Sequence, residues 1–284
     1  MGPTSSGKTS LGIFLAKKLK GEVISADSRQ VYKGLDIGTG KVTKKEMVGV
    51  PHHLLSVASP KKVFTADDFV KQATKVIGET RLPIVVGGTG FYIDTLLGRL
   101  VLPNVPPNPA LRAQLERKNV EELYIMLKKK DPARAGTIEP KHKRRIIRAL
   151  EIAEALGKNP VPVQEEKYEV LWLGLNPAPK KLASNIHKRL VARIKQGMVA
   201  EAQRLHKSGL SYKRMEELGL EYRYLARLLQ KQITKQEFMV ELEREIQKYA
   251  KRQWRWFKRN KNIHWVSGKT EALRLAKGFC GTLL

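Results

Sequence analysis

The sequence predicts an α/β fold: a parallel sheet flanked by helices and interrupted by an all-helical insertion. Three observations predict it. A glycine-rich turn at residues 2–7 runs straight into a helical pattern, and short β-rich runs then alternate with helical periodicity up to about residue 100. A proline-rich stretch at 102–109 opens a series of helices, and a β-rich run resumes at 169. Strands separated by helices need crossovers that cover both sheet faces, which makes the sheet parallel and buried.

The first element is the turn itself. Gly2-Pro3-Thr4-Ser5-Ser6-Gly7-Lys8-Thr9 matches the phosphate-cradling pattern G-x-x-x-x-G-K-[ST]. Its glycines allow a tight turn that aims consecutive N–H groups at anionic oxygens. Lys8 adds a point charge, the Thr9 hydroxyl is the expected Mg²⁺ ligand, and the following helix offers its positive end. Leu11, Leu15 and Leu19 give that helix its apolar face. The sheet is therefore P-loop NTPase-like. Such a loop follows a buried strand, yet only Met1 precedes it. Either the sheet lacks a central member or residues ahead of Met1 are absent. The second is the expectation, because a missing central strand leaves backbone groups of its neighbours unpaired.

Residues 22–26 read as a strand ending at Asp27. Residues 64–79 read as a helix with Thr65 as N-cap and Asp67 and Asp68 in its first turn. Residues 83–86 form a buried strand that runs into Gly87-Gly88-Thr89-Gly90. Ligands of parallel sheets bind beyond the carboxyl ends of the strands, so Asp27 and Thr89 are expected on the same edge as the P-loop. Helical pattern then covers 110–118, 120–130 and 141–156, with Asn119 as a cap and Gly157 as a terminator. A loose segment at 157–167 ends the insertion, which is expected to span 103–168 between core segments 1–102 and 169–284. A strand is expected at 169–175. After it come a helix carrying Leu182, Ile186, Leu190, Ile194 and Met198, flanked by Arg189 and Arg193, and a long last helix over 235–258. The end of that helix is cationic: Lys251, Arg252, Arg255, Lys258 and Arg259, interleaved with Trp254, Trp256 and Phe257. Aromatics among cations can stack bases, but helical tryptophans are more often core.

Charge narrows the function. Fifty-four Lys and Arg against 27 Asp and Glu give a net charge of +27, which favours a polyanionic partner, nucleic acid first. A generally basic protein without such a partner also fits the total. No run of about 18 apolar residues occurs, so no membrane span is expected. The single cysteine, Cys280, excludes an internal disulfide framework and suits a reducing compartment. His52 and His53 are adjacent, point apart on a strand and have no third ligand nearby, so they are not read as a metal site.

P-loop proteins that act on a γ-phosphate usually hold Mg²⁺ through an acidic residue at a strand end. Here 83–86 ends in Gly-Gly-Thr, and the nearest strand-end carboxylate is Asp27. An acceptor side chain beside a phosphate site suggests chemistry on something next to the phosphate. An N-cap role or a water-mediated magnesium ligand is the alternative for Asp27.

Further stretches join the P-loop in a pattern. They are Ile24-Ser25-Ala26-Asp27-Ser28-Arg29-Gln30-Val31-Tyr32-Lys33-Gly34 with Asp36-Ile37-Gly38-Thr39, Pro51-His52-His53-Leu54 and Val86-Gly87-Gly88-Thr89-Gly90-Phe91-Tyr92. Arg145-Ile146-Ile147-Arg148-Ala149-Leu150-Glu151 and Tyr249-Ala250-Lys251-Arg252-Gln253 follow. Together, from residue 2 to about 266 and in order, the chain resembles the tRNA dimethylallyltransferases, which prenylate N6 of adenosine 37 beside the anticodon. The resemblance implies that the P-loop holds the diphosphate of dimethylallyl diphosphate rather than ATP. It implies that Thr4, Lys8 and Arg189 grip that diphosphate and that Thr9 binds Mg²⁺. Asp27 would accept the proton of the adenine amine, and Thr89 would let the flipped-out base approach. Ser28, Arg29 and Gln30 would contact neighbouring nucleotides of the anticodon stem-loop. Arg112 and the stretch Arg144, Arg145, Ile146, Ile147 and Arg148 would contact tRNA from the insertion, although a solvated cationic face is the other reading of these arginines. A cytoplasmic monomer is expected. A small-molecule P-loop kinase with a helical lid and a non-catalytic, RNA-binding P-loop switch are the rival readings. The absent strand-end aspartate and the charge disfavour the first, and Asp27 disfavours the second.

Overall fold

Glycine turns and capped helices punctuate the chain as the sequence requires. The computed structural model describes residues 1–160 and 165–282, so residues 161–164 of the expected loose segment lie outside the described residues. Packing divides the chain into two compact units, Met1–Leu97 with Glu166–Leu284, and Gly98–Glu165.

The first unit begins with the P-loop and α1 (Lys8–Leu19), then β1 (Glu22–Ala26), α2 (Lys44–Met47), β2 (His52–His53), α3 (Ala66–Glu79), β3 (Pro83–Gly87) and α4 (Gly90–Leu96). In α3 the Thr65 side chain accepts from the Asp68 N–H while Asp68 accepts from the Thr65 N–H, a reciprocal cap that fixes its start. The strands form a parallel sheet in the order β2-β1-β3. Val23 sits opposite His52 on one side and Ile84 on the other, and Ala26 is level with Gly87. That register brings the two strand ends, and hence Asp27 and Thr89, to one edge. Met1 sits beside the run that resumes at 169: its amino group donates to Leu173 O at 2.6 Å and its carbonyl accepts from Leu175 N at 2.9 Å. A cavity of about 250 Å³, lined by apolar residues such as Leu11, Ile84, Val86, Leu96 and Leu171, lies within this unit.

The second unit contains α5 (Pro109–Glu116), α6 (Val120–Lys130), α7 (Pro132–Thr137) and α8 (Lys143–Leu156) around a core of Leu115, Leu123, Leu127, Ile146, Ile147 and Leu150. The helix α7 was not expected. Asp131 ends α6 and also caps α7 by accepting from the Arg134 N–H, so one residue stops one helix and starts the next.

The first unit then resumes. Its remaining elements are β4 (Leu173–Gly174), α9 (Pro179–Lys195), α10 (Met198–Lys207), α11 (Tyr212–Leu218), α12 (Leu220–Leu229), α13 (Lys235–Phe257), β5 (His264–Trp265) and α14 (Lys269–Thr282). The expected strand at 169–175 pairs only over Leu173 and Gly174, in parallel with β5. The sequence reading missed β5 and α14. One core joins β1, α3 and α4 to Trp172 and Phe257, with Phe69 stacked on Tyr92 at 4.5 Å. Another lies among α9 to α13, where Ile186, Leu190, Met198, Tyr222, Phe238 and Leu242 are buried. Among the described residues, no helix is long and apolar enough to cross a membrane.

Candidate active site

The P-loop takes the shape that its glycines dictate. Gly2 lies at φ 151°, where a Cβ would sit 2.4 Å from the Leu175 carbonyl oxygen, and Gly7 caps α1 in the left-handed region. Ser5 is left-handed as well, at φ 61°. Alternating backbone hands turn successive N–H groups into a concave cradle for an anion. The first turn of α1 holds Lys8, Thr9 and Ser10 and no acid, so nothing there offsets the helix's positive end. Lys8 donates from Nζ to the Pro3 carbonyl at 3.2 Å. Burial, helped by the nearby Arg189 cation, pushes the Lys8 ammonium down to about 8, and Asp27 pulls against this. Lys8, Arg189 and Asp27 therefore share one electrostatic neighbourhood. Thr9 is exposed on the first turn of α1.

Arg189, on α9, donates from Nη2 to the Gly40 carbonyl at 2.8 Å. Burial first, then the Arg193 cation, lowers its affinity for a proton. The loop that carries Gly40 is held from below. Buried Glu201 accepts from the N–H groups of Asp36, Ile37 and Gly38 at 3.0, 2.7 and 2.9 Å and from the Tyr222 hydroxyl at 2.7 Å. Arg193 donates to the Gly38 carbonyl at 2.6 Å and pairs with Glu221 at 3.0 Å.

Asp27 follows β1 directly. Its Oδ1 accepts from the N–H groups of Arg29 and Gln30 at 2.9 and 3.3 Å, a local turn that fixes the carboxylate while Oδ2 takes neither bond. The Thr89 hydroxyl accepts from the Ser28 N–H at 3.0 Å, and the Thr89 N–H donates to the Ala26 carbonyl at 3.2 Å. The ends of β1 and β3 are thus stitched together beside the P-loop. Arg29 donates from Nε to the Leu218 carbonyl and from Nη1 to the Ser28 carbonyl at 3.0 Å. Gln30 donates to the Gly40 carbonyl at 3.5 Å. Both side chains brace the loop from within, while Ser28 stays half-buried beside Thr89.

In the second unit the residues expected at tRNA differ in burial and pairing. Ile146 and Ile147 are 0% and 3% exposed in its core, so their side chains offer nothing to RNA. Arg112 grips Glu151 with two 2.7 Å bonds. Arg148 reaches Glu151 at 3.3 Å and the Val105 carbonyl at 2.7 Å. Burial alone would raise the Glu151 carboxyl, but the bonds from Arg112 and the Asn108 N–H hold it below its usual range. Arg112 and Arg148 therefore do structural work. Arg144 and Arg145 remain exposed on α8.

Sequence reasoning missed the face of α13 that supports this site. Gln253, Tyr249 and Trp256 lie at helical spacing. Gln253 bonds to the P-loop and to Gly88, Trp256 Nε1 donates to the Asp94 carboxylate at 2.7 Å, and Tyr249 is buried near Thr89, with burial raising its hydroxyl pKa. Only the spacing hinted at it, and the surrounding cations masked it.

Mg²⁺ fits the donors present. Among the described residues no group of three or more acidic, histidine or cysteine side chains could hold a metal. Mg²⁺ needs no such cage, because it keeps its waters and binds through one or two protein oxygens plus substrate phosphates. The exposed Thr9 hydroxyl, on the first turn of α1, would supply such an oxygen.

Comparisons with known proteins identify the family. The family model described as IPP transferase matches residues 30–260. The chain is 38% identical to the tRNA dimethylallyltransferase 1 of Geotalea uraniireducens, over 98% of this chain and 94% of that one. It is 41% identical to the tRNA dimethylallyltransferase 2 of Treponema denticola, over 94% of each. Its fold is similar to the crystal structure of the tRNA isopentenylpyrophosphate transferase of Bacillus halodurans, with a TM-score of 0.74 and 34% identity over 99% of this chain and 94% of that one. A eukaryotic dimethylallyltransferase acting on tRNA superposes with a TM-score of 0.78 and 28% identity, over 90% of this chain and 68% of that one. Sequence and fold together place this chain in the IPP transferase family.

Proposed function

We propose that the chain transfers a dimethylallyl group from dimethylallyl diphosphate to N6 of the adenosine beside the anticodon of tRNA. One observation carries this reading: Asp27, at the end of β1, accepts from the Gln30 N–H while Gln30 and Arg189 of α9 both donate to the Gly40 carbonyl, on the sheet edge that also carries Lys8 of the P-loop. A transfer that expels diphosphate needs cations on the leaving group and an acceptor for the nucleophile's proton, and this edge of the sheet offers both.

The step follows from the chain's own groups. The neutral amine attacks the allylic C1 of the donor. As the N6–C1 bond forms, the C1–O bond breaks and its electron pair leaves with the diphosphate. Asp27 accepts the N6 proton through Oδ2, since Oδ1 is committed to the turn. The cradle N–H groups, Lys8, Arg189 and the hydroxyl of Thr4 stabilise the charge that gathers on the leaving oxygens. Bound Mg²⁺, held by Thr9, would supply further neutralisation of that charge. Thr89, whose hydroxyl accepts from the Ser28 N–H, borders the base. Arg144 and Arg145 supply phosphate contacts for the RNA. The enzyme acts as a monomer in the cytoplasm, in keeping with its lone cysteine.

Incubation with tRNA and either dimethylallyl diphosphate labelled in its prenyl group or ATP labelled at the γ-phosphate tests the reading. Prenyl label in the tRNA, dependent on Mg²⁺, is expected. Label transferred from ATP with none from the prenyl donor would replace it with kinase chemistry.

A further inference from the structure

Gln253 is a buried amide, 5% exposed, near the end of the long helix α13. Its Oε1 accepts from the Thr4 N–H at 2.7 Å, and its Nε2 donates to the Gly88 carbonyl at 2.9 Å. The orientation is forced. Exchanging O and N would set N–H against N–H and carbonyl against carbonyl. One side chain therefore ties the middle of the P-loop to the turn after β3.

The fit is tight. A Cβ at Gly88 would lie 2.1 Å from Gln253 Nε2, so the turn must be glycine for the amide to reach it. The bond also fixes which way the P-loop faces at Thr4, because that N–H points at the amide and is withdrawn from the anion cradle. The same helix face is anchored on both sides of Gln253. Trp256 donates to the Asp94 carboxylate on one side, and on the other Tyr249 lies buried near Thr89. A helix is stiff, so its face acts as a common ruler for the segments it touches.

Those two segments have different duties in the prenyl-transfer reading, on which this inference rests. The P-loop holds the donor, and the Gly88-Thr89 turn borders the acceptor base. Transfer requires the reacting atoms to approach to about 3–3.5 Å in line, and a misplacement of about 1 Å costs on the order of 10²-fold in rate. We propose that Gln253 is a positioning residue that sets the separation of the donor loop from the acceptor-base turn.

Two variants test it. Gln253→Ala removes both bonds. It should lower kcat by about 10–100-fold while the Kd of dimethylallyl S-thiolodiphosphate, an unreactive donor analogue, changes less than about threefold. Gln253→Glu adds a readout that a mere packing role would not move. A protonated glutamic acid can donate to Gly88 and accept from Thr4, as the amide does, whereas the carboxylate has no proton to give and faces the Gly88 carbonyl oxygen. The kcat of Gln253→Glu should approach that of the wild type at low pH and fall as pH rises, through an ionisation that the wild-type profile lacks. Thermal melts at each pH accompany the kinetics. An unchanged kcat in Gln253→Ala, a pH profile for Gln253→Glu that parallels the wild type, or an activity loss that tracks loss of folded protein would each overturn the proposal. Absence of prenyl transfer by the wild-type enzyme itself would instead overturn the underlying functional reading, and the proposal with it.

Discussion

Asp27 and Lys8 divide the work at the residue scale, and each can be tested alone. Asp27→Asn keeps a side-chain oxygen for the turn but is not a base. Turnover should fall by about 10²–10⁴-fold with donor-analogue affinity nearly unchanged, as steady-state kinetics and titration would measure. Near-normal turnover would remove Asp27 from its role. Lys8 predicts a pH dependence. Its proton is held with a pKa of about 8, below the ordinary lysine value, and a bound diphosphate favours the charged form. Below pH 8 the free site is already cationic and affinity should be flat. Above it, binding must take up a proton, so affinity should fall by up to about tenfold per pH unit. Lys8→Arg, always charged, should abolish that slope in a calorimetric titration of the thiolodiphosphate. These residues were legible in the sequence because a P-loop and a strand-end acid are written in consecutive positions. The burial of Ile146 and Ile147 and the pairing of Arg112 and Arg148 were not legible for the opposite reason, since packing and not consecutive positions decides them. The two arginines pair with Glu151, a buried carboxylate on α8 that Arg112 reaches from α5 and Arg148 from one turn earlier on the same helix.

At the scale of elements, the stripe on α8 separates into two functions. Arg144 and Arg145 face outward, whereas Arg148 belongs to the Glu151 cluster. Each phosphate contact contributes about 0.7–0.9 to the slope of log K against log[salt]. Replacing Arg144 and Arg145 together by Ala should flatten that slope for tRNA by up to about 2 units and leave the melting temperature in place. Glu151→Ala should do the reverse, lowering the melting temperature because two guanidinium groups lose a buried partner. A double variant that melts early, or that keeps the wild-type slope, would contradict this division. Long helices were readable from their period, and in α3 and α6 also from their caps, Thr65 and Asn119, both of which form reciprocal caps. The strand at 169–175 was readable as a run but not as the short pairing it makes, and β5 was not readable, since a two-residue pairing leaves no alternation to see.

The whole molecule carries +27, enough for salt to govern its association with any polyanion. At this scale the parallel sheet and the helical unit were foreseeable from composition shifts at the proline-rich stretch. The way α13 turns one face to the P-loop and the β3 turn was not, because the helix's charge pattern hides its three polar anchors among cations. The central claim is that a P-loop here serves prenyl transfer to RNA. Mass analysis of nucleosides from a tRNA incubated with the enzyme and unlabelled dimethylallyl diphosphate tests it most directly. The account predicts a single N6-dimethylallylated adenosine, located beside the anticodon and lost with Asp27→Asn. An unmodified tRNA, or a prenyl group attached elsewhere, would contradict it.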